Sequence, residues 1–239
     1  MATRAGALVN RLLAALPAAE WQRWRPQLEF VELRLGQVLA EPGVTLEHVY
    51  FPTTAIVSLL YVTGNGHSAE IAMAGNEGLV GIPVVMGAGS TTQRAVVQSA
   101  GHAYRVKAGF IQDALERSPA ALQLFLRYTQ ARIAQIGQTA VCNRHHSLDQ
   151  QLCRWLLLSM DRLNGNMLVM TQELIANMLG VRRESVTETA LKLQRAGLIQ
   201  YARGRIEILD REGLEARTCE CYATVKKEYD RLLPSDVAL

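Results

Sequence analysis

Close to Gly109 the hydrophobic pattern of this chain changes its period, and the two halves so defined cannot share one architecture. Before it, apolar residues come in short runs: Phe30 to Leu33, Gln37 to Ala40, Val49 to Phe51, Ile56 to Val62, Ser68 to Met73, Ala95 to Gln98 and His102 to Val106. Runs of this length between glycine-rich breaks read as strands of a sandwich or roll closed around its own core. Gly64-Asn65-Gly66 joins two of them and reads as a hairpin turn, because Asn and Gly tolerate positive φ.

After Gly109 the pattern is helical for most of the remaining chain. Ser118-Pro119 fits an N-cap followed by proline at the first helical position, where the missing N–H costs nothing. Beyond it Leu122, Leu126, Thr129, Ile133, Ile136 and Ala140 recur at alternating spacings of four and three, as in the seam of a coiled coil. A core helix packed on its own sheet would give a similar stripe. Leu124, Phe125 and Tyr128 lie off the stripe, however, and offer a second apolar surface, so the reading favoured is a helix that packs on its own domain and meets a second copy along its seam. Ser147-Leu148-Asp149-Gln150 has the capping-box form and starts a new helix.

Thr171 to Ile199 has the spacing of a helix-turn-helix. Leu174, Ile175, Met178 and Leu179 line one helix face, and Val186, Ala190, Leu191 and Leu193 are expected on the helix that crosses it. Ala176 is small where backbones approach, Gly180 supplies the turn, Val181 plugs the crossing and Gly197 ends the second helix. Leu198 to Tyr201 and Ile206 to Ile208 alternate as strands around Ala202-Arg203-Gly204-Arg205, which makes a wing. Arg182, Arg183, Glu184 and Ser185 open the second helix, the end that enters a major groove in proteins of this kind, with Thr187 and Glu188 one turn further on. Arg183 can offer two donors to guanine O6 and N7, and Glu184 can accept from a cytosine amino group. Thr171, Gln172, Ser185, Arg203 and Arg205 suit phosphate, where they fix register without reading sequence.

The formal charge of +3 is unevenly spread. Residues 143 to 206 carry nine basic and five acidic side chains, against eleven and nine in residues 1 to 142 and five and eight in residues 207 to 239. A basic segment that coincides with the helix-turn-helix is consistent with a polyanionic partner. Ala7 to Pro17 could pass for a signal-peptide core, but Asn10 and Arg11 interrupt it, and it reads as a short amphipathic helix. No run of about eighteen apolar residues is present, so no membrane partner and a cytoplasmic location are expected. Arg211 to Leu233 repeats apolar residues near helical spacing and reads as an added terminal helix bracing the winged domain.

With those motifs in place the chain resembles the Crp/Fnr superfamily of bacterial transcription regulators over nearly its whole length. The resemblance implies an α+β protein: an N-terminal β-roll of double-stranded β-helix type within residues 1–117, a central dimerisation helix at 118–142, and a C-terminal winged helix-turn-helix with an extra helix at 143–239. It also implies a homodimer on palindromic double-stranded DNA, with RNA polymerase as a further partner if the protein activates. The family's recognition helix commonly shows Arg-Glu-Ser/Thr with an Arg three residues beyond. Arg183, Glu184 and Ser185 match, whereas Glu188 replaces the later Arg, so the family's usual operator letters do not transfer at that base pair.

The sensor half departs from the relatives that bind cyclic AMP. Those carry Gly-Glu-x-Gly, whose Glu holds the ribose, then Arg-Ser/Thr-Ala, whose Arg holds the phosphate. Here the comparable stretches are Gly78-Leu79-Val80-Gly81 and Gln93-Arg94-Ala95, so ordinary cyclic AMP is not the expected ligand unless Arg94 turns inward. The effector-binding residues are therefore unknown, and the roll is a sensor or a scaffold. The stretch between Gly81 and Gln93 is also longer, with Met86-Gly87-Ala88-Gly89 at its tip.

No cofactor or metal is expected. The four cysteines, Cys142, Cys153, Cys219 and Cys221, lie far from the N-terminal cluster cysteines of the oxygen-sensing relatives. Cys219-x-Cys221 with His145 or His146 offers redox or metal chemistry, but lacks Cys-x-x-Cys spacing and reads as ordinary thiols. His48, His67 and His102 are candidate haem ligands, each more often a surface or packed side chain. The reading from another class, a cupin-like metal-dependent enzyme, needs clustered His and Glu such as His-x-His, which the strands lack; an enzyme is not expected.

Overall fold

The computed structural model describes residues 4–7, 9–163 and 165–233. Seven strands form the N-terminal body: β1 (Glu29–Leu33), β2 (Val38–Ala40), β3 (His48–Pro52), β4 (Ile56–Val62), β5 (Ser68–Ala74), β6 (Arg94–Ser99) and β7 (Gly101–Lys107). Each lies within one residue of the bounds expected from the sequence. One sheet has the order β1-β7-β3 and the other β2-β6-β4-β5, all neighbours antiparallel, and together they make a roll. The β4–β5 turn spans Thr63 to His67, closed by Thr63 N donating to His67 O (2.8 Å), with Gly66 at positive φ.

The N-terminal segment is not one amphipathic helix. It forms α1 (Arg4–Ala7) and α2 (Arg11–Ala14), followed by α3 (Ala18–Trp24). Asn10 causes the break: its Oδ1 accepts from Leu12 N and Leu13 N as an N-cap, while its Nδ2 donates to Pro52 O and Gly78 O (2.8 Å each). A polar side chain with four buried partners pins the segment to the roll, and Leu12 and Leu13 fill the space beside it. Trp24 then packs against Phe51, Phe110 and Phe125 at ring-centroid distances of 5.5 to 6.1 Å.

Beyond the roll come the short α4 (Ile82–Val85), α5 (Ala108–Arg117) and the long α6 (Pro119–His145). Ser118 separates α5 from α6, its Oγ accepting from Ala121 N, with Pro119 at the first helical position. The second apolar face of α6 is buried: Leu124, Phe125 and Tyr128 are all buried, with Phe125 edge-on to Phe51 of β3. Tyr128 crosses Gly78 so closely that a Cβ there would run into the ring, and its hydroxyl donates to Leu79 O (2.9 Å).

The remainder is α7 (Leu148–Met160), capped by the expected Ser147 and Gln150 box, β8 (Met167–Val169), α8 (Gln172–Leu179), α9 (Arg183–Arg195), β9 (Ile199–Ala202), β10 (Arg205–Ile208), α10 (Arg211–Arg217) and α11 (Glu220–Leu232). The C-terminal segment is thus two helices, broken at Thr218 and Cys219. Its last helix packs along α6 as well as α7: Tyr229 stacks edge-on against Tyr128 and donates to Gln135 Oε1 (2.9 Å). Among the described residues no helix is long and apolar enough to cross a membrane.

Candidate functional site

Thr171 caps α8, its Oγ1 accepting from Leu174 N (3.2 Å), and Gly180 ends the helix at φ +66°. Val181 N donates to Ala176 O (3.0 Å), which sets the short turn into α9. Val186, Thr189, Ala190 and Leu193 are the buried residues of α9. Leu191, expected in this set, is instead 45% exposed, because the helix turns it to the outer face beside Arg183, Glu184, Thr187 and Glu188. That face therefore combines guanidinium, carboxylate, hydroxyl and methyl groups, the chemistry needed to read base edges, including a thymine methyl that Leu191 could touch.

Arg182 is the N-cap of α9, and Arg182, Arg183 and Glu184 are exposed. Thr187 Oγ1 donates to Gln172 Oε1 (2.6 Å), which ties the first turn of α8 to α9 and leaves the Gln172 amide nitrogen available as a donor. Glu188 pairs with Lys192 (3.0 Å) on the exposed face. The wing sheet has the order β8-β10-β9, and its tip places Arg203, at φ +50°, next to Gly204 and Arg205. Both arginines are exposed.

The seam of α6 divides in two. Leu126 and Ile133 are 47% and 54% exposed, Ala140 is exposed, and Leu122 and Ile136 are half-buried. Val141, which the heptad reading omitted, is also exposed. Thr129 differs: it is 5% exposed, buried within its own subunit, with Oγ1 donating to Phe125 O (2.9 Å).

Between α6 and the roll lies a cavity of about 550 Å³. Its walls are largely apolar and include Leu39, Leu46, Leu59, Leu79, Ile82 and Met86. Leu79 occupies the wall where the cyclic-nucleotide pattern has Glu, and Gln93 faces the cavity while Arg94 pairs with Glu41 (2.7 Å). From α6 come Thr129, Arg132, Ile133 and Ile136. Arg132 is buried and donates from Nη2 to the Tyr128 hydroxyl, while its Nε and Nη1 have no hydrogen-bond partner. A buried guanidinium with idle donors favours an acceptor nearby. Of the three candidate haem histidines only His48 lines the cavity; His67 lies in the β4–β5 turn and His102 stacks on Phe30 at 4.9 Å.

Buried polar contacts join the roll to α7 and the turn after it, among them Gln98 Nε2 donating to Ser159 Oγ (3.2 Å). Arg162 Nε donates to Glu77 Oε1 (2.9 Å). Trp155 Nε1 donates to Glu70 Oε1 (3.1 Å), while Oε2 of Glu70 has no partner, and burial pushes this carboxyl up to about 7. Ser68 Oγ also reaches Asn177 O in α8 (3.4 Å), so the β4–β5 hairpin touches the helix-turn-helix.

Residues 150–217 match the Crp-like helix-turn-helix domain family. No curated protein matches the chain. Among solved structures, it is similar to a protein of Eubacterium rectale assigned to the Crp/Fnr family of transcriptional regulators, with 18% identity over 86% of this chain and 96% of that one and a TM-score of 0.67. FixK2 of Bradyrhizobium japonicum gives 16% identity, coverage of 80% and 98%, and a TM-score of 0.65. CLP of Xanthomonas campestris, described as a c-di-GMP-responsive global regulator, gives 14%, 81% and 100%, and 0.64. Residues 150–217 are a Crp-like helix-turn-helix domain, and the chain around them has the three-part architecture of the Crp/Fnr-type transcription regulators.

Proposed function

We infer that the protein is a cytoplasmic, homodimeric, sequence-specific DNA-binding transcription regulator. The observation that carries this reading is the pair of open faces on one chain: the apolar stripe of Leu126, Ile133 and Val141 on α6, and the outer face of α9 with the arginine-tipped wing. Two copies joined along the first would present the second twice, and a palindromic operator follows, with half-sites about 34–36 Å apart. Arg183, Glu184, Thr187 and Glu188 face bases, and Thr171, Gln172, Arg182, Ser185, Arg203 and Arg205 hold phosphate. RNA polymerase is a further partner if the protein activates.

The cavity supports ligand control by something other than ordinary cyclic AMP. Its lining favours a mostly apolar molecule with one anionic or acceptor group for Arg132. Such a ligand would touch Thr129, Arg132, Ile133 and Ile136 on the very helix that forms the seam, and it shifts DNA affinity only by its preference between arrangements of that helix. Against the enzyme reading, residues 150–217 match a Crp-like helix-turn-helix domain and the similar solved structures are described as transcription regulators.

Selection of duplexes from a randomised library by the purified chain tests the reading. Recovery of inverted half-sites, bound with or without cyclic AMP alike, is expected. Recovery of no enriched sequence at low salt would contradict DNA recognition, and operator binding that requires cyclic AMP would contradict the account of the cavity.

A further inference from the structure

Four side chains far apart in sequence meet where the dimer helix ends. Cys142 lies in the last turn of α6 and His146 is its C-cap; Cys219 is the N-cap of α11 and Cys221 lies in its first turn. They meet because α11 folds back along α6. Their donor atoms all lie within 4.8 Å of one another, and the three cysteines are buried. The separations are 3.6 Å between the sulfurs of Cys142 and Cys219 and 3.4 Å between Cys221 Sγ and His146 Nδ1. A tetrahedral zinc ion, with Zn–S about 2.3 Å and Zn–N about 2.0–2.1 Å, places two sulfurs about 3.8 Å apart and sulfur and nitrogen about 3.6 Å apart. The sulfur separation is far longer than a disulfide, about 2.05 Å.

The groups around this quartet are those a bound dication needs. His146 turns Nδ1 toward the sulfurs and Nε2 toward Glu220 Oε1 (3.3 Å), the carboxylate–histidine arrangement that fixes a ligating ring. Gln138 Nε2 donates to Cys221 Sγ (3.0 Å), a contact suited to a thiolate acceptor. Three thiolates and one neutral imidazole around a dication leave one negative charge. Arg154, buried and electrostatically coupled to Cys142, has an unpartnered Nε available to balance it.

We propose that Cys142, His146, Cys219 and Cys221 bind one zinc-class divalent ion in a closed tetrahedral site that clamps the end of the dimer helix to the start of α11. Binding exchanges three thiol protons, released to solvent, for the ion, with no change of oxidation state. Four protein ligands leave no open position, so the role is structural. The clamp lies beside Ser147, where α6 gives way to the DNA-binding domain, and fixes the elbow between them.

The test uses the full chain, purified reduced, loaded with zinc and then freed of loose metal. One zinc per chain is expected, together with the intense visible absorption of tetrahedral thiolate cobalt when cobalt(II) is added to the metal-stripped protein. Cys142→Ser, Cys221→Ser and His146→Ala should abolish retention, while Cys153→Ala, outside the quartet, keeps it. Glu220→Ala, on the exposed side of the histidine, should weaken zinc about 10–100-fold. A parent chain that retains no zinc and gives only the weak spectrum of octahedral cobalt overturns the proposal, even if every variant fails to fold. A Cys142–Cys219 disulfide in freshly isolated protein without metal overturns it too. Neither readout depends on DNA, so a failed operator selection would leave this result standing.

Discussion

Glu70→Gln probes the joint between the roll and the DNA-binding half. The carboxyl is fully buried on β5, accepts from Trp155 on α7, and has its ordinary value of 4.5 pushed up to about 7, first by burial. Ser58, Trp155, Arg154 and Arg162 oppose that shift without cancelling it. Between those two pH values the folded chain holds a proton that the unfolded chain has released, so stability falls as pH rises across the window. The penalty is absent below about 4.5, complete above about 7, and amounts to about 3 kcal/mol at 1.36 kcal/mol per pH unit. Glutamine can still accept from Trp155 and does not titrate. The variant should therefore gain on the parent as pH rises, by roughly 6–12 °C in melting temperature for a chain of this size. Melting curves of both proteins from pH 4.5 to pH 8 check this. Parallel profiles would refute the reasoning, because they would mean that Glu70 ionises in the folded state as freely as in the unfolded one.

Ile133→Glu faces two like charges across the proposed seam at a cost of several kcal/mol, roughly a hundredfold or more in dimer affinity; sedimentation should show single chains with an unchanged helical signal. Arg183→Ala should lose about 1–3 kcal/mol of discrimination between the selected operator and a point-mutated one. Arg205→Ala should weaken all duplexes about equally and lower the salt slope by about one. Equal specificity ratios for Arg183→Ala and the parent would remove Arg183 from base readout. Gly78→Ala drives a methyl into the Tyr128 ring and should cost about 1–3 kcal/mol in denaturant unfolding, most of it recovered in a Tyr128→Leu background.

The strands were legible because each combines a short apolar run with a glycine-rich boundary, signals that act within a few residues. The helix-turn-helix was legible for the same reason, through Thr171, Gly180 and Gly197. Misreadings arose where tertiary partners decide. Asn10 breaks the first helix because Pro52 O and Gly78 O lie within reach of its amide. Leu191 is apolar and in helical register, yet the crossing of α8 and α9 leaves it outside. Thr129 belongs to the seam by spacing, yet it is buried within its own subunit, its hydroxyl turned back to Phe125 O. The cavity and its Arg132 left no local trace, since the lining is gathered from stretches as far apart as Leu39 and Ile136. The cysteine–histidine quartet left a partial one: Cys142 and His146 stand four apart, as on one helix face, and Cys219-x-Cys221 lies 77 residues beyond Cys142. Only the return of α11 along α6 unites them.

The stoichiometry of the DNA complex bears most directly on the account. Light scattering on the chain eluting with a duplex from the library selection should give two chains per duplex. Cutting that duplex to one half-site should reduce affinity steeply while free protein remains a dimer. One chain per duplex, with full affinity for the half-site alone, would contradict a regulator that reads DNA through paired subunits.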